Sequence, residues 1–483
     1  MNYRLIFRVL GSLAFVEAFF LLCCTIMAVF YAEDDLLAFA LSLIIALGAG
    51  VLLHLAGRGA EKVMTRRDGY IVVSASWVLF PLIGMFPYLL SHYTVGVTDA
   101  FFESISGFTS TGSTIMDNID LCPHALLFWR SLTQWVGGLG IILFTIAVLP
   151  GISMGGVNLF AASSTGPLQG KIQPRIATTT KWILMVYLLL TVGCTVSLYF
   201  NGMDLFDAVN HAFTCIGTGG FSTHQDNIQY FDSPRIEYVL IIFMFFAGVN
   251  YNLLYFFVLR GKIKRLFQDT EFKWYTFLFA GVTLFCTLSL YFENSMEAEA
   301  SFRFSAFQVI SLATSTGYCS HDYMLWAPKL LPFLLLVMTI GGCTGSSAGG
   351  FKMIRLAMLW KIAKNETKKL IHPNAVLPLR VNGTVVTTPV KIMLIAYTFL
   401  YLMVFFTGWI LLVLFGVDFS EAAGCSVSSL SNIGPAFDSY GPAYSWSGMS
   451  GGAKWVCSAL MFIGRLEILS VFVLFTRNFW KRQ

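Results

Sequence analysis

Phe108-Thr109-Ser110-Thr111-Gly112, Gly217-Thr218-Gly219-Gly220-Phe221, Thr314-Ser315-Thr316-Gly317-Tyr318 and Ser431-Asn432-Ile433-Gly434-Pro435 are four versions of one phrase. They recur roughly every hundred residues, each after a short amphipathic stretch and before a hydrophobic run. Glycine adopts backbone angles that other residues avoid. Irregular backbone at membrane depth is tolerated only where it is buried or lines a water-filled path. One such phrase reads as helix packing, because glycine is common in membrane helices. Four in equivalent places read as a ring of backbone carbonyls around an ion pathway.

The rest of the chain agrees with a membrane setting. Of its 483 residues, 56% are hydrophobic and 12% charged, with mean hydropathy +0.71. Soluble domains carry about 25% charged residues. Apolar runs begin near Leu10, Leu36, Tyr70, Ala125, Trp182, Tyr238, Trp274, Leu330, Ile392 and Trp455. Most approach the roughly 20 residues that cross a bilayer. The first run has no clear small-residue cleavage site and is expected to be retained rather than removed as a signal peptide.

Basic residues set the orientation. If every run spans, Arg4, Arg8, Arg58, Lys62, Arg66, Arg67, Lys171, Arg175 and Lys181 fall on one side. Arg260 to Arg265, Lys361 to Lys369, and Arg477, Lys481 and Arg482 join them. Arg130, Arg235, Arg303, Lys329 and Lys454 are expected in the opposite loops. Both termini are therefore expected in the cytoplasm. The net charge of +5 expresses this bias and gives no argument for nucleic acid. The ten cysteines and seven histidines are dispersed, without zinc or disulfide spacing. His54, His92 and His211 read as packing or interfacial histidines.

The expected fold class is an all-α polytopic membrane protein: four pseudo-repeats of helix, re-entrant pore helix and helix around one central pore, plus an N-terminal two-helix hairpin. The hairpin takes residues 1–69 and turns at Glu33-Asp34-Asp35. Repeat one takes 70–170, repeat two 171–269, repeat three 270–370 with a broken second helix, and repeat four 371–483. The longer inner loops, Gly151–Thr180 and Ala363–Pro389, are long enough to dock a partner. Asp99, Asp207 and Glu421 each lie thirteen residues before Gly112, Gly220 and Gly434, where an acidic side chain would cap the outer end of a short helix. In repeat three Phe304 takes that offset, with Glu299 and Ser301 nearby. Each pore helix would then aim its partially negative C-terminal end at the bilayer centre, a field that favours a cation. Carbonyls replace the water of a monovalent cation without trapping it, and Thr109, Thr111, Thr218 and Thr316 would brace the loops.

Two further anomalies concern gating. Gly341-Gly342-Cys343-Thr344-Gly345-Ser346-Ser347-Ala348-Gly349-Gly350 interrupts the helix expected between Leu330 and Trp360. Glycine and serine at this density break a helix and leave either a mobile gate or a close helix crossing. No lysine follows and no strand precedes, so this is not a phosphate-binding loop. Arg465 lies inside the last run, where a charge is costly and functional. It reads as a barrier to a passing cation or as half of a buried ion pair with Glu467 or another acidic residue. Lys352 and Arg355 are expected at the cytoplasmic end of their helix.

At these residues the chain resembles the Trk/Ktr/HKT superfamily of potassium transporters, in particular bacterial Trk membrane subunits of TrkH/TrkG type. The carrying motifs are Asp99-Ala100-Phe101-Phe102-Glu103 with Ser106 to Gly112, and Gly219-Gly220-Phe221-Ser222-Thr223-His224. Phe231-Asp232-Ser233-Pro234, Ile340 to Ser346, His372-Pro373-Asn374-Ala375 and Gly464-Arg465-Leu466-Glu467 complete them. The resemblance spans essentially the whole chain. It implies a potassium filter with one key glycine per repeat: Gly112, Gly220, Gly317 and Gly434. The preceding Thr111, Gly219, Thr316 and Ile433 would share in coordination. The double glycine leaves repeat two ambiguous by one residue, and the thirteen-residue spacing and the following Phe221 favour Gly220. The resemblance also implies an intramembrane gate at Gly345, Ser346, Gly349 and Gly350 with Arg465 beneath it. It implies a homodimer in the bacterial cytoplasmic membrane and a cytoplasmic regulatory ring of TrkA type. That ring would carry the nucleotide sites, leaving this chain with potassium ions as cargo and no nucleotide.

In plant relatives a serine at the first key glycine goes with sodium transport, so Gly112 points to potassium. Repeat four has no threonine before its glycine, which implies an asymmetric filter. A proton- or sodium-coupled potassium symporter is the alternative; its candidate carboxylates within spans are Glu17 and Glu467. A membrane-embedded hydrolase would have to pair Ser346 or Ser347 with a distant histidine, and no spacing supports that.

Overall fold

The computed structural model describes residues 1–61, 64–91, 93–94, 96–147, 172–293 and 295–481, without the side chains of 66, 143–147 and 172–179. His92, Lys62, Lys171 and most of the 151–180 loop lie outside the described residues.

Described elements are almost all helical, and the described sheet is one small hairpin, Arg380–Val381 paired with Thr384–Val385. Six helices are long and apolar enough to cross a membrane: Tyr3–Tyr31, Leu36–Ala56, Arg67–Leu90, Thr180–Phe200, Thr270–Glu293 and Thr388–Leu414. The Ala125 run forms one helix, His124–Ala147, and the Leu330 run a short one, Pro328–Ile340. Two further spans are bent by 105°: Pro234–Ala247 with Tyr251–Leu259, and Gly451–Arg465 with Ile468–Leu474. The glycine run does break repeat three, between Ile340 and Met353. Repeats two and four have breaks as well, without a comparable glycine run in the sequence. The first falls at Gly248-Val249-Asn250, where the Asn250 side chain accepts from the Asn252 amide and starts a new helix. The freed Gly248 carbonyl accepts from the Cys343 amide at 2.9 Å. A broken span thus satisfies its backbone within the protein, as a bilayer requires.

Four short helices sit between the spans: Val97–Phe108, Leu205–Gly217, Ala298–Ala313 and Phe419–Ser431. These are the pore helices of repeats one to four. Asp99, Asp207 and Glu421 occupy the third position of their helices, not the cap. Gly96, Asp204 and Asp418 precede the helices instead. Asp207 and Glu421 hold the chain that leaves their own glycine turns, and Asp99 holds the last span of repeat four. Asp207 accepts from Thr223 Oγ1 at 2.6 Å, Glu421 from the Ser439 amide at 3.1 Å, and Asp99 from Lys454 Nζ at 2.7 Å. In repeat three the helix starts a turn earlier, which places Phe304 inside it.

A ring of four glycine turns and the loop beneath it

Each pore helix ends in the same way. The amides of Ser110, Thr218, Ser315 and Asn432 donate to Gly107, Cys215, Leu312 and Ser429. The next amides, of Thr111, Gly219, Thr316 and Ile433, donate to the carbonyls of Ser106, Thr214, Ser311 and Ser428, at 2.8 to 3.0 Å. This is the Schellman arrangement of helix ends, with a left-handed residue after the last turn. Here that residue is never glycine: Ser110, Thr218, Ser315 and Asn432 have φ from 51 to 55°. Two residues on, Gly112, Gly220, Gly317 and Gly434 have φ of 89, 75, 80 and 108°. Shared geometry pairs Gly220 with the other three and Gly219 with Thr111, Thr316 and Ile433.

The four turns close on one another. A Cβ built on Gly112 would lie 1.9 Å from the Gly219 carbonyl oxygen. On Gly220 it would lie 2.0 Å from Thr316 O, on Gly317 1.9 Å from Ile433 O, and on Gly434 2.9 Å from Thr111 O. Repeat one therefore abuts two, two abuts three, three abuts four, and four returns to one. A funnel opens above the ring, lined by all four glycines together with Ser113, Arg130, Ser222, His224 and Trp446.

Side chains brace the ring unequally. Thr109 and Thr111 share a hydroxyl contact of 2.7 Å, and Thr314 and Thr316 share one of the same length. Asn432 Nδ2 donates to Thr111 Oγ1 at 3.0 Å and to the Met461 carbonyl at 2.9 Å, so repeat four, lacking a threonine, leans on repeat one. The Thr218 hydroxyl turns back to the Gly217 carbonyl. Behind repeats one and two, Glu103 and Arg130 form a buried pair at 2.9 Å. Glu103 also accepts from Thr114 Oγ1 and the Ile115 amide, and Arg130 donates to the Ser222 carbonyl and covers the Phe221 ring at 4.1 Å. Arg130, Arg303 and Lys454 are thus buried braces, not loop charges; Arg303 pairs with Glu237 and Glu299. Glu103, Glu237 and Asp99 are distant in sequence from the cations they pair with; Glu299, one turn before Arg303 on the same helix, is the local partner.

Outside the ring, His224 lies between Asp120 and Asp207, with Nδ1 2.9 Å and Nε2 3.2 Å from their carboxylates, and stacks on Tyr230. Partial burial alone would lower its pKa; the bonds to Asp207 and Asp120 outweigh this and raise it.

The glycine-rich loop lies directly under the ring. Ser347 Oγ donates to the Ile216 carbonyl, at the end of the second pore helix. The Gly349 amide donates to Ser315 Oγ at 2.6 Å in repeat three. A Cβ on Gly349 would come within 2.1 Å of the Ser431 carbonyl in repeat four. The link to repeat one is Arg465, whose Nη1 donates to the Ser347 carbonyl at 2.9 Å and Nη2 to Ser110 Oγ at 3.0 Å. Gly345 and Gly350 have φ of 76 and 80°, the Gly345 carbonyl accepts from the Tyr251 amide, and the Ser346 hydroxyl donates to the Cys343 carbonyl. Ser346 and Ser347 hydroxyls are thus committed to backbone carbonyls.

Arg465 makes no ion pair among the described residues. Glu467 is taken by Arg355, which corrects the placement of Arg355 at the cytoplasmic end of its helix. Arg355 and Lys352 sit at the buried start of Met353–Ile371, and the Lys352 amino group donates to the Ala348 carbonyl. Glu17 is buried in the first helix, and neither of its oxygens has a hydrogen-bond partner among the described residues.

A multi-span helical bundle with re-entrant helices meeting in a closed ring of carbonyl-bearing turns is the build of a membrane cation transporter. The chain belongs to the TrkH family of cation transport proteins, whose family model matches residues 37–482. It is 38% identical over 488 residues to the Trk system potassium uptake protein TrkH of Escherichia coli K12, covering all of both chains. It is 33% identical to the Trk system potassium uptake protein TrkG of the same strain, covering 99% of each. The crystal structure of the potassium transporter TrkH from Vibrio parahaemolyticus superposes with a TM-score of 0.92 at 32% identity, over all of both chains. Members are transporters, not enzymes.

Proposed function

We propose that this chain takes up potassium across the bacterial cytoplasmic membrane through a gated pore, with both termini in the cytoplasm. The observation that carries the reading is the closed order of glycine-to-carbonyl contacts around four equivalent turns. Potassium would shed water in the funnel and be held by carbonyls of Thr111, Gly112, Gly219, Gly220, Thr316, Gly317, Ile433 and Gly434. The pore helices end at this ring and add their negative C-terminal field. Below, the loop containing Gly345, Ser346, Gly349 and Gly350 would close the path, latched by Arg465 to repeat one. Repeat boundaries after residues 69, 170, 269 and 370, a homodimer, and a nucleotide-binding cytoplasmic ring of TrkA type complete the proposal.

Purified chain in liposomes tests it. Rubidium or potassium flux well above sodium flux, independent of a pH gradient, is expected. Flux that requires a proton or sodium gradient would favour a coupled symporter. For that second reading Glu467 is occupied by Arg355, and Glu17 is the remaining candidate.

A further inference from the structure

The ring has one member with no side chain of its own to brace it. At the position before each key glycine, Thr111 and Thr316 are held by threonine partners, and Ile433 fills its site with its own buried side chain. Gly219 has nothing. Into that space reaches Gln134, fully buried on the His124–Ala147 helix of repeat one. Its Nε2 donates to the Gly219 carbonyl at 2.9 Å, and its Oε1 accepts from the Phe221 amide at 3.0 Å. The Phe221 amide can only donate, so the amide group has one orientation here: oxygen to Phe221, nitrogen to Gly219. A Cβ on Gly219 would lie 2.3 Å from Gln134 Cδ, so the glycine and the glutamine occupy one shared space. Among the described residues, no hydrogen bond reaches the carbonyls of Thr111, Thr316 or Ile433; Gly219 alone of the four is engaged.

Resting on the pore reading above, we propose that Gln134 is a specificity-determining positioning residue, which fixes the Gly219 carbonyl of the neighbouring repeat and so sets potassium-over-sodium discrimination. A carbonyl has two lone pairs. With one given to Gln134, the other keeps a fixed direction for the ion. Without the donor, Gly219 has no side-chain restraint and its carbonyl is free to follow the smaller ion inward.

The test uses the full chain in liposomes, reading rubidium and sodium flux separately. Gln134→Leu and Gln134→Met both remove the two bonds, the methionine at nearly the length of the glutamine and with no N–H or O–H donor for Gly219. Both are expected to lower the rubidium-to-sodium ratio by roughly fivefold, the factor of one hydrogen bond. The double variant Gln134→Ala/Gly219→Thr, which moves a brace onto repeat two, is expected to recover part of the loss. Unchanged ratios in Gln134→Met, alongside a lowered ratio in Gly112→Ser, would overturn the role of Gln134 and leave the filter standing. Unchanged ratios in both would overturn the filter itself. If Gln134→Leu does not accumulate in the membrane, Gln134→Met decides alone.

Discussion

The carbonyl oxygen of Gly219 lies 1.9 Å from where Gly112 would carry a Cβ. Any side chain at Gly112 must therefore displace the backbone of the next repeat, in addition to the strain of a φ of 89°. Gly112→Ser is expected to lower potassium-over-sodium permeability through the shifted Gly219 carbonyl. Reversal potentials under mixed-ion gradients read it; an unchanged ratio would reject the assignment.

Contact distances around the ring predict a graded series. Alanine at Gly220 or Gly317 meets backbone at 2.0 and 1.9 Å, whereas at Gly434 it meets Thr111 O at 2.9 Å. Flux through Gly434→Ala should exceed that of the other two alanine variants at equal membrane levels. The reverse order would show that φ strain, largest in value at Gly434, outweighs the contact.

Arg465→Ala removes the only described link between the loop and repeat one, made through two charge-assisted hydrogen bonds. Flux should rise by at least roughly tenfold, the factor given by about 1.4 kcal/mol and well within two such bonds. A folded, inserted but inactive variant would mean that Arg465 supports the pore rather than latching it.

Glu103 and Arg130 are both desolvated, so removing one strands the other. Glu103→Gln should cost about 3–5 kcal/mol of stability, as for other broken buried pairs. Adding Arg130→Met should recover much of that loss in a thermal melt of the detergent-solubilised protein. A Glu103→Gln melt matching the parent would show that the pair is not needed to hold the funnel.

The His224 clasp gives a pH dependence with a definite sign. Its pKa is raised in the folded protein, so its stabilisation is fully present below the ordinary histidine value of about 6.5. It is lost as pH rises through the raised folded value. Protease resistance of the Gly220–Phe231 segment should fall over that interval, and His224→Gln should flatten the profile. A profile identical in the variant would remove His224 as the cause.

Much of this was legible in the residues because it is local. Four phrases at matched offsets name four turns, and the density of glycine and serine at 341–350 names the broken span. Spacing and the following Phe221 favour Gly220 over Gly219, and the φ values and neighbour contacts group Gly220 with Gly112, Gly317 and Gly434. The bend at Gly248-Val249-Asn250 carries a single glycine, too little to distinguish from ordinary packing. Arg130, Arg303 and Lys454 looked like loop charges because their partners Glu103, Glu237 and Asp99 come from other elements. Gln134 is unmarked in the sequence for the same reason: Gly219 is 85 residues away.

Because each key glycine touches the backbone of the repeat that follows it, damage at one turn is repaired next door. Second-site suppressors of Gly112 substitutions should cluster around Gly219, those of Gly220 around Thr316, those of Gly317 around Ile433, and those of Gly434 around Thr111. Selecting revertants would therefore trace the circular order of the repeats by genetics alone.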